Sequence, residues 1–214
     1  MELQDVKRLV NGGESETVEF KRKVAHPEKI VKEAVAFANT KGGTLLVGVD
    51  DNQTIPGLKH AEEEDYLMQK ALRELCRPKL TYETIIVKLN EKRSVLCYQI
   101  GASSNKPHYA FEKKQHRYGK AFIRVKDRSI QASREIRKIL KFNNQPRDVQ
   151  FSYGENEKLL FNYLKDHDHV TISQFQTISG LEYNPCSEIL IKMVLANVLK
   201  IIPQESEDWY KAVE

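Results

Sequence analysis

The densest chemistry in this sequence is cationic. Lys113, Lys114, Arg117, Lys120, Arg124, Lys126 and Arg128 crowd one short stretch, interleaved with Tyr109, Phe111, Tyr118 and Phe122. A second basic cluster, Lys21-Arg22-Lys23, stands near the start of the chain. Lysine and arginine neutralise phosphates, while aromatic rings stack on exposed bases, so the pairing of the two types points to nucleic acid. The competing reading is a solvated charged face above core aromatics. A local excess of one sign favours binding. Along Lys120 to Val125 the alternation of a strand sends one of Phe122 and Ile123 to the core and the other to solvent.

Other chemistries find less support. His167-Asp168-His169 offers two imidazoles but no third ligand at metal-site spacing, and a turn between helices explains it. Cys76, Cys97 and Cys186 are odd in number and far apart, which fits a reducing compartment rather than a disulfide framework. Ser103-Ser104 lacks the strand-turn-helix setting of a nucleophilic serine. Lys41-Gly42-Gly43-Thr44 has phosphate-loop composition but precedes a strand instead of opening a helix; a helix end and turn accounts better for its glycines.

The elements that must hold these residues alternate in type. Asp5 to Val10 reads as a short helix, Thr17 to Lys21 as a strand, and Pro27 to Asn39 as a helix with Ile30, Val31, Ala34, Val35 and Ala38 on its apolar face. Thr44 to Val49 is a buried strand, Glu62 to Cys76 a helix, and Tyr82 to Leu89, Ser94 to Gly101 and Lys120 to Val125 are strands. A helix over Ser133 to Phe142 then leads to the polar, proline-bearing stretch Asn143 to Asp148, which marks a domain join. Beyond it come helices over Glu155 to Lys165, from Thr171 to Gly180 and over Pro185 to Leu199. Two short strands, Ile201-Ile202 and Trp209 to Val213, close the chain. The fold class is mixed α/β, with domains at 1–147 and 148–214, the second similar to a winged helix.

Charge divides with the domains. Residues 151–214 carry five lysines, no arginine and ten acids, a balance of −5; with +4 overall, residues 1–150 hold +9. The polyanion partner therefore belongs to the first domain. In the second, Asn184, Ser187, Lys192 and Asn197 are thin equipment for reading bases. The third helix has apolar residues on more than one face, which points to dimerisation or docking. No apolar stretch is long enough to span a bilayer and Met1-Glu2-Leu3-Gln4 does not open a signal peptide, so a cytoplasmic location is expected.

Three segments together resemble a known family. They are Glu14-Ser15-Glu16-Thr17-Val18-Glu19-Phe20-Lys21, then the run from Ala36 through Asn39-Thr40-Lys41-Gly42-Gly43 to Asp50-Asp51 with Gly57-Leu58 after it, and Gly119-Lys120-Ala121-Phe122-Ile123-Arg124-Val125. In this order they resemble the Schlafen-type AlbA domain over most of residues 9 to 140. The resemblance implies a mixed-sheet, AlbA-like domain that binds nucleic acid, DNA ahead of RNA, in a DNA-binding transcriptional regulator; a homodimer is expected beside it from the apolar faces of the third helix of the second domain. Such proteins have also been labelled ATP-binding, as divergent ATPases, which the order of Lys41 to Thr44 argues against. Eukaryotic Schlafen ribonucleases use three acids in this domain, and by resemblance these fall on Glu14, Glu19 and Asp51, with Asp50 close to the third. They would hold Mg²⁺ or Mn²⁺ in a nuclease. The plainer account pairs Glu19 with a lysine and gives Asp50 and Asp51 to a turn. The expected protein is a non-catalytic binder with no cofactor. The alternatives are a metal-dependent ribonuclease and an adaptor whose acidic second domain holds a protein partner.

Overall fold

The periodicities above become real elements in a computed structural model that describes residues 1–143 and 153–213. Helix α1 (Leu3–Gly12) buries Val6 and Val10 and ends at Gly13, whose φ of 75° only glycine adopts freely. Strand β1 (Val18–Lys21) follows, and helix α2 (Pro27–Asn39) crosses over to β2 (Gly42–Val47), which pairs with β1 in parallel. Such a crossover is what a parallel pair requires. Helix α3 (Ala61–Leu75) leads through β3 (Cys76–Arg77) to the long hairpin of β4 (Tyr82–Asn90) and β5 (Arg93–Gly101). The four main strands form one mixed sheet in the order β1-β2-β5-β4.

Each face of this sheet has its own core. Val31, Val35 and Phe37 of α2 and Met68 and Leu72 of α3 pack with Leu45, Val47, Leu96 and Tyr98 on one side. Val6 and Val10 of α1 meet Phe20, Leu46, Val95 and Cys97 on the other. The two-residue alternation of β2 and β5 divides these sets between the faces. Burial pushes the thiols of Cys76 and Cys97 up to about 12. Two small ribbons complete this part: β3 with β6 (Tyr109–Ala110), and β7 (Phe122–Val125) with β8 (Arg128–Gln131).

Strand β2 starts at Gly42, two residues before the expected Thr44, because both glycines are strand residues. Gly42 has φ 82°, and an added Cβ would lie 2.7 Å from the carbonyl oxygen of Ile100. At Gly43 the same atom would lie 2.4 Å from the ring of Phe37. These glycines serve close approach between the sheet and its neighbours.

The second compact unit spans Ala132–Glu214 and so begins directly after Gln131, while the boundary read from the sequence at 147/148 lies outside the described residues. Helix α4 (Arg134–Asn143), expected to close the first domain, packs against α7 (Tyr183–Leu195) instead. Its Ile136 and Ile139 are buried, and its buried Glu135 accepts from Ser187 Oγ at 2.6 Å and from Tyr183 Oη at 3.1 Å. The surplus apolar face of α7 thus has a cover within the chain. With this boundary Arg134, Arg137, Lys138, Lys141 and Arg147 fall in the second unit together with Glu135 and Asp148, so the units carry +6 and −2 rather than +9 and −5. The rest of this unit is α5 (Glu155–Asp166), α6 (Ile172–Ser179) and an antiparallel ribbon of β9 (Leu199–Ile202) and β10 (Trp209–Ala212). Thr171 caps α6 in a reciprocal box with Gln174, and Gly180 ends it in the left-handed conformation. Leu160, Phe175, Leu190, Met193 and Tyr210 make the core. Among the described residues no helix is long and apolar enough to cross a membrane.

Candidate nucleic-acid interface

The basic, aromatic stretch is a lobe with a pinned base. Where α2 ends, the buried amide of Asn39 donates to the carbonyls of His108 (3.0 Å) and Phe122 (2.9 Å) and accepts from the backbone N–H of His108 (2.7 Å). Ala110 and Lys120 exchange backbone bonds, and Phe111 N–H donates to Leu75 O. Between these ties Lys113, Lys114, Arg117 and Lys120 are all exposed. Tyr118 is 77% exposed, with the Arg117 guanidinium 5.3 Å from its ring centre. The other aromatics of the stretch turn inward: Phe111 is buried, and both Phe122 and Ile123 pack away from solvent, so the strict alternation expected there does not hold. The lobe also recruits a residue the sequence did not single out. Arg77 stacks on Phe111 at 4.4 Å and donates to Lys114 O at 2.6 Å. Not every cation is unengaged, since Lys114 lies 3.5 Å from Glu74 and Lys120 3.5 Å from Glu112. Such exposed pairs are weak and exchange readily for phosphate.

Arg124 belongs to another class of residue. Its side chain is 1% exposed, and its Nη1 donates to Glu19 Oε2 (2.9 Å), Glu33 Oε2 (3.0 Å) and Ser129 Oγ (3.2 Å). Nη2 donates to the carbonyls of Ser15 (2.7 Å) and Val18 (3.4 Å), while Nε has no partner. The ring of Phe37 lies 4.9 Å away. Grouped from sequence with the phosphate-binding cations, Arg124 is a buried tie between the β7–β8 ribbon, α2 and the edge of β1. Lys126 and Arg128 are exposed at the turn beyond it.

This network also claims the middle carboxylate of the resemblance. Glu19 is 6% exposed; one oxygen meets Arg124 and the other Lys21. Glu14 Oε1 accepts from Phe20 N–H at 2.8 Å, and partial burial holds its pKa above the ordinary value, an effect to which the charges of Glu19 and Asp51 add. Asp51 is exposed, and Asp50 lies 3.6 Å from Arg22. The three acids therefore do not fit a divalent cation as placed, because both oxygens of Glu19 already face cations. Among the described residues no three His, Cys, Asp or Glu side chains are grouped to hold a metal.

The first basic cluster is dispersed by the fold. Lys21 is half-buried on Glu19 and the carbonyl of Phe20, whereas Arg22 and Lys23 are exposed beside a cleft at the start of α3. The lobe touches the far end of the same helix through Glu74. Fifteen residues of helix separate the ends, a distance of about 22 Å. The two basic clusters of the sequence thus lie at opposite ends of α3.

In the second unit Ser187 is committed to Glu135, and Asn184 accepts from Arg134 at 2.6 Å. Lys192 and Asn197 remain exposed. The His-Asp-His stretch is divided among aromatic and ionic partners, with His167 stacked on Tyr163, His169 on Trp209, and Asp168 paired with Lys211.

Comparison with known proteins now adds the family. The family model described as Schlafen, AlbA_2 matches residues 14–133, more than half of the chain and nearly coincident with the end of the first compact unit. The chain belongs to the Schlafen, AlbA_2 family, whose membership points to nucleic-acid binding. Among solved structures it is similar to the N-terminal domain of a RecG-related protein from Nitrosomonas europaea, at 22% identity and a TM-score of 0.43, over 56% of this chain and 86% of that one. It is also similar to a Corynebacterium diphtheriae protein at 17% identity and a TM-score of 0.46, over 85% of this chain but only 32% of that one. No curated protein matches it.

Proposed function

We propose that this protein is a DNA-binding transcriptional regulator, cytoplasmic and homodimeric, that grips the nucleic-acid backbone with the lobe after β6. The carrying observation is the set of exposed Lys113, Lys114, Arg117 and Lys120 around the exposed ring of Tyr118, on a base pinned by Asn39. A backbone pinned at its base lowers the ordering cost of presenting these cations to phosphate, and the ring adds a stacking surface. Engagement of both Glu19 oxygens by cations supports binding over metal-dependent cleavage. The cover that α4 gives α7, and the smaller negative charge of the second unit, weaken the adaptor alternative. That unit's three later helices and ribbon are compatible with a winged helix. The open edge of β4, where Ile86 is 44% exposed, is a place for a second copy to extend the sheet.

The test titrates purified protein into labelled duplex DNA, single-stranded RNA and structured RNA across a salt series, with Mn²⁺ or with chelator. Duplex DNA is expected to bind and stay intact. Changing Lys113, Lys114, Arg117 and Lys120 to alanine should lower the slope of log K against log salt by about 0.9 for each phosphate that is no longer neutralised. Equal affinity and slope in the quadruple variant would remove the lobe as the interface. Mn²⁺-dependent cutting that disappears in Glu14→Ala and Glu19→Ala would replace the regulator reading with the nuclease.

A further inference from the structure

The lobe leaves one built feature of the first unit unused. Where the parallel strands β1 and β2 end, a cleft of about 310 Å³ opens between the Arg22-Lys23 turn and the segment from Pro56 to His60, beside the first turns of α3. Ligands of open α/β sheets collect at the carboxyl ends of such strands.

The cleft is preformed. Gly57 N–H donates to Gly48 O at 3.0 Å, and Leu58 exchanges backbone bonds with Ser94 at 2.7 and 3.0 Å. Gly48 and Gly57 have φ of 106° and 65°, and an added Cβ on Gly57 would lie 2.5 Å from Leu89 Cδ1, so both positions are closed to larger residues. Arg93 Nη1 donates to Gly57 O at 2.9 Å, which ties a cation into the wall.

Its charge is matched to an anion. Arg22, Lys23, Lys59 and Arg93 line it against Glu63 and Glu64. Glu64 is spent on the backbone N–H of Val24 at 2.6 Å. Among the described residues Lys23 and Lys59, both exposed, make no ion pair. The volume lies at the small end of ligand pockets, about 300–1,000 Å³, which suits one nucleotide-sized group and not a duplex.

We propose that this cleft binds a phosphate monoester, the terminal phosphate of a nucleic-acid strand or of a free nucleotide. A monoester offers nearly two charges and three strong acceptor oxygens. A backbone diester presents only one charge. The site lies at the opposite end of α3 from the lobe and stands independently of it.

The test is fluorescence anisotropy with an internally labelled tetranucleotide carrying phosphate at the 5′ end, the 3′ end or neither. One phosphorylated form should bind about tenfold tighter than the unphosphorylated one, equal to about 1.4 kcal/mol. Inorganic phosphate should erase the difference. Lys23→Ala with Lys59→Ala, both exposed and outside the core, should abolish it, while Lys200→Ala, exposed in the second unit, should keep it. A nucleoside monophosphate competing as well as the phosphorylated oligonucleotide assigns the site to free nucleotide; failure to compete assigns it to strand ends. Equal affinity of all three tetranucleotides with no competition by monophosphate overturns the proposal, as does a difference that survives the double lysine variant. Loss of duplex binding in the quadruple lobe variant with monophosphate binding retained supports two separate sites; no duplex binding by the parent protein sinks the regulator reading alone.

Discussion

Replacing Arg124 with methionine tests whether this arginine holds the domain together or holds its ligand. The guanidinium is buried and donates to five acceptors: Glu19, Glu33, Ser129 and the carbonyls of Ser15 and Val18. Methionine fills much of the volume but strands two carboxylates. Removing one partner of a buried ion pair costs about 3–5 kcal/mol, because the other charge stays behind without compensation. Lys21 still serves Glu19, which trims the loss, while the Ser15 carbonyl losing its donor adds about 1 kcal/mol. A destabilisation of about 4 kcal/mol follows, or about 12–16 °C in the melting temperature of a unit this size. Circular dichroism melts and urea titrations read it directly. The double variant Arg124→Met, Glu19→Gln should regain part of the loss, since one of the two stranded carboxylates is then neutral while Glu33 stays charged. At low temperature, where the single variant remains folded, its salt slope for DNA should equal the parent's. Stability within about 1 kcal/mol of the parent would refute the burial argument. A lowered salt slope beside it would return Arg124 to the phosphate-binding set.

The remaining predictions concern other parts of the chain. Asn39→Ala leaves a buried carbonyl, a part-buried carbonyl and a buried N–H without this partner, each worth about 1–3 kcal/mol where water cannot replace it, so it should destabilise the first unit by several kcal/mol and loosen the lobe; hydrogen exchange across residues 109–122 checks this. A fragment of 132–214 should give a dispersed amide spectrum, whereas 148–214, which exposes the α4-facing side of α7, should aggregate or lose dispersion. Burial raises the pKa of Asp208 above its ordinary 3.8. The folded state then binds more protons than the unfolded one just above that value, so this group's contribution is full at lower pH and is lost as pH rises through the folded pKa. Asp208→Asn should therefore be more stable than the parent at pH 7 and lose that margin towards pH 3, as paired denaturation curves would show.

Much of this protein is decided locally. Helix α2 starts at Pro27 and ends at Asn39 as its apolar spacing requires, the Thr171 and Gly180 signals bound α6, and the alternation in β4 and β5 makes a hairpin. The family motifs lie in continuous stretches, so their resemblance was legible, and the match over 14–133 agrees with it. Functional assignments that depended on side-chain partners were not. Arg124 sits among six other cations in sequence, and nothing local separates it from Lys126; its burial comes from Glu19 and Glu33, about a hundred residues earlier. The Asn39 to Gly43 motif gave no local sign that its amide would pin the base of the basic lobe. The placement of α4 turned on Glu135 meeting Ser187, 52 residues away. Local sequence sets φ, ψ and the apolar period, which are properties of neighbours. Whether a charge meets water, a phosphate or a buried counter-ion depends on which distant segments the fold brings beside it, and that decision belongs to tertiary structure.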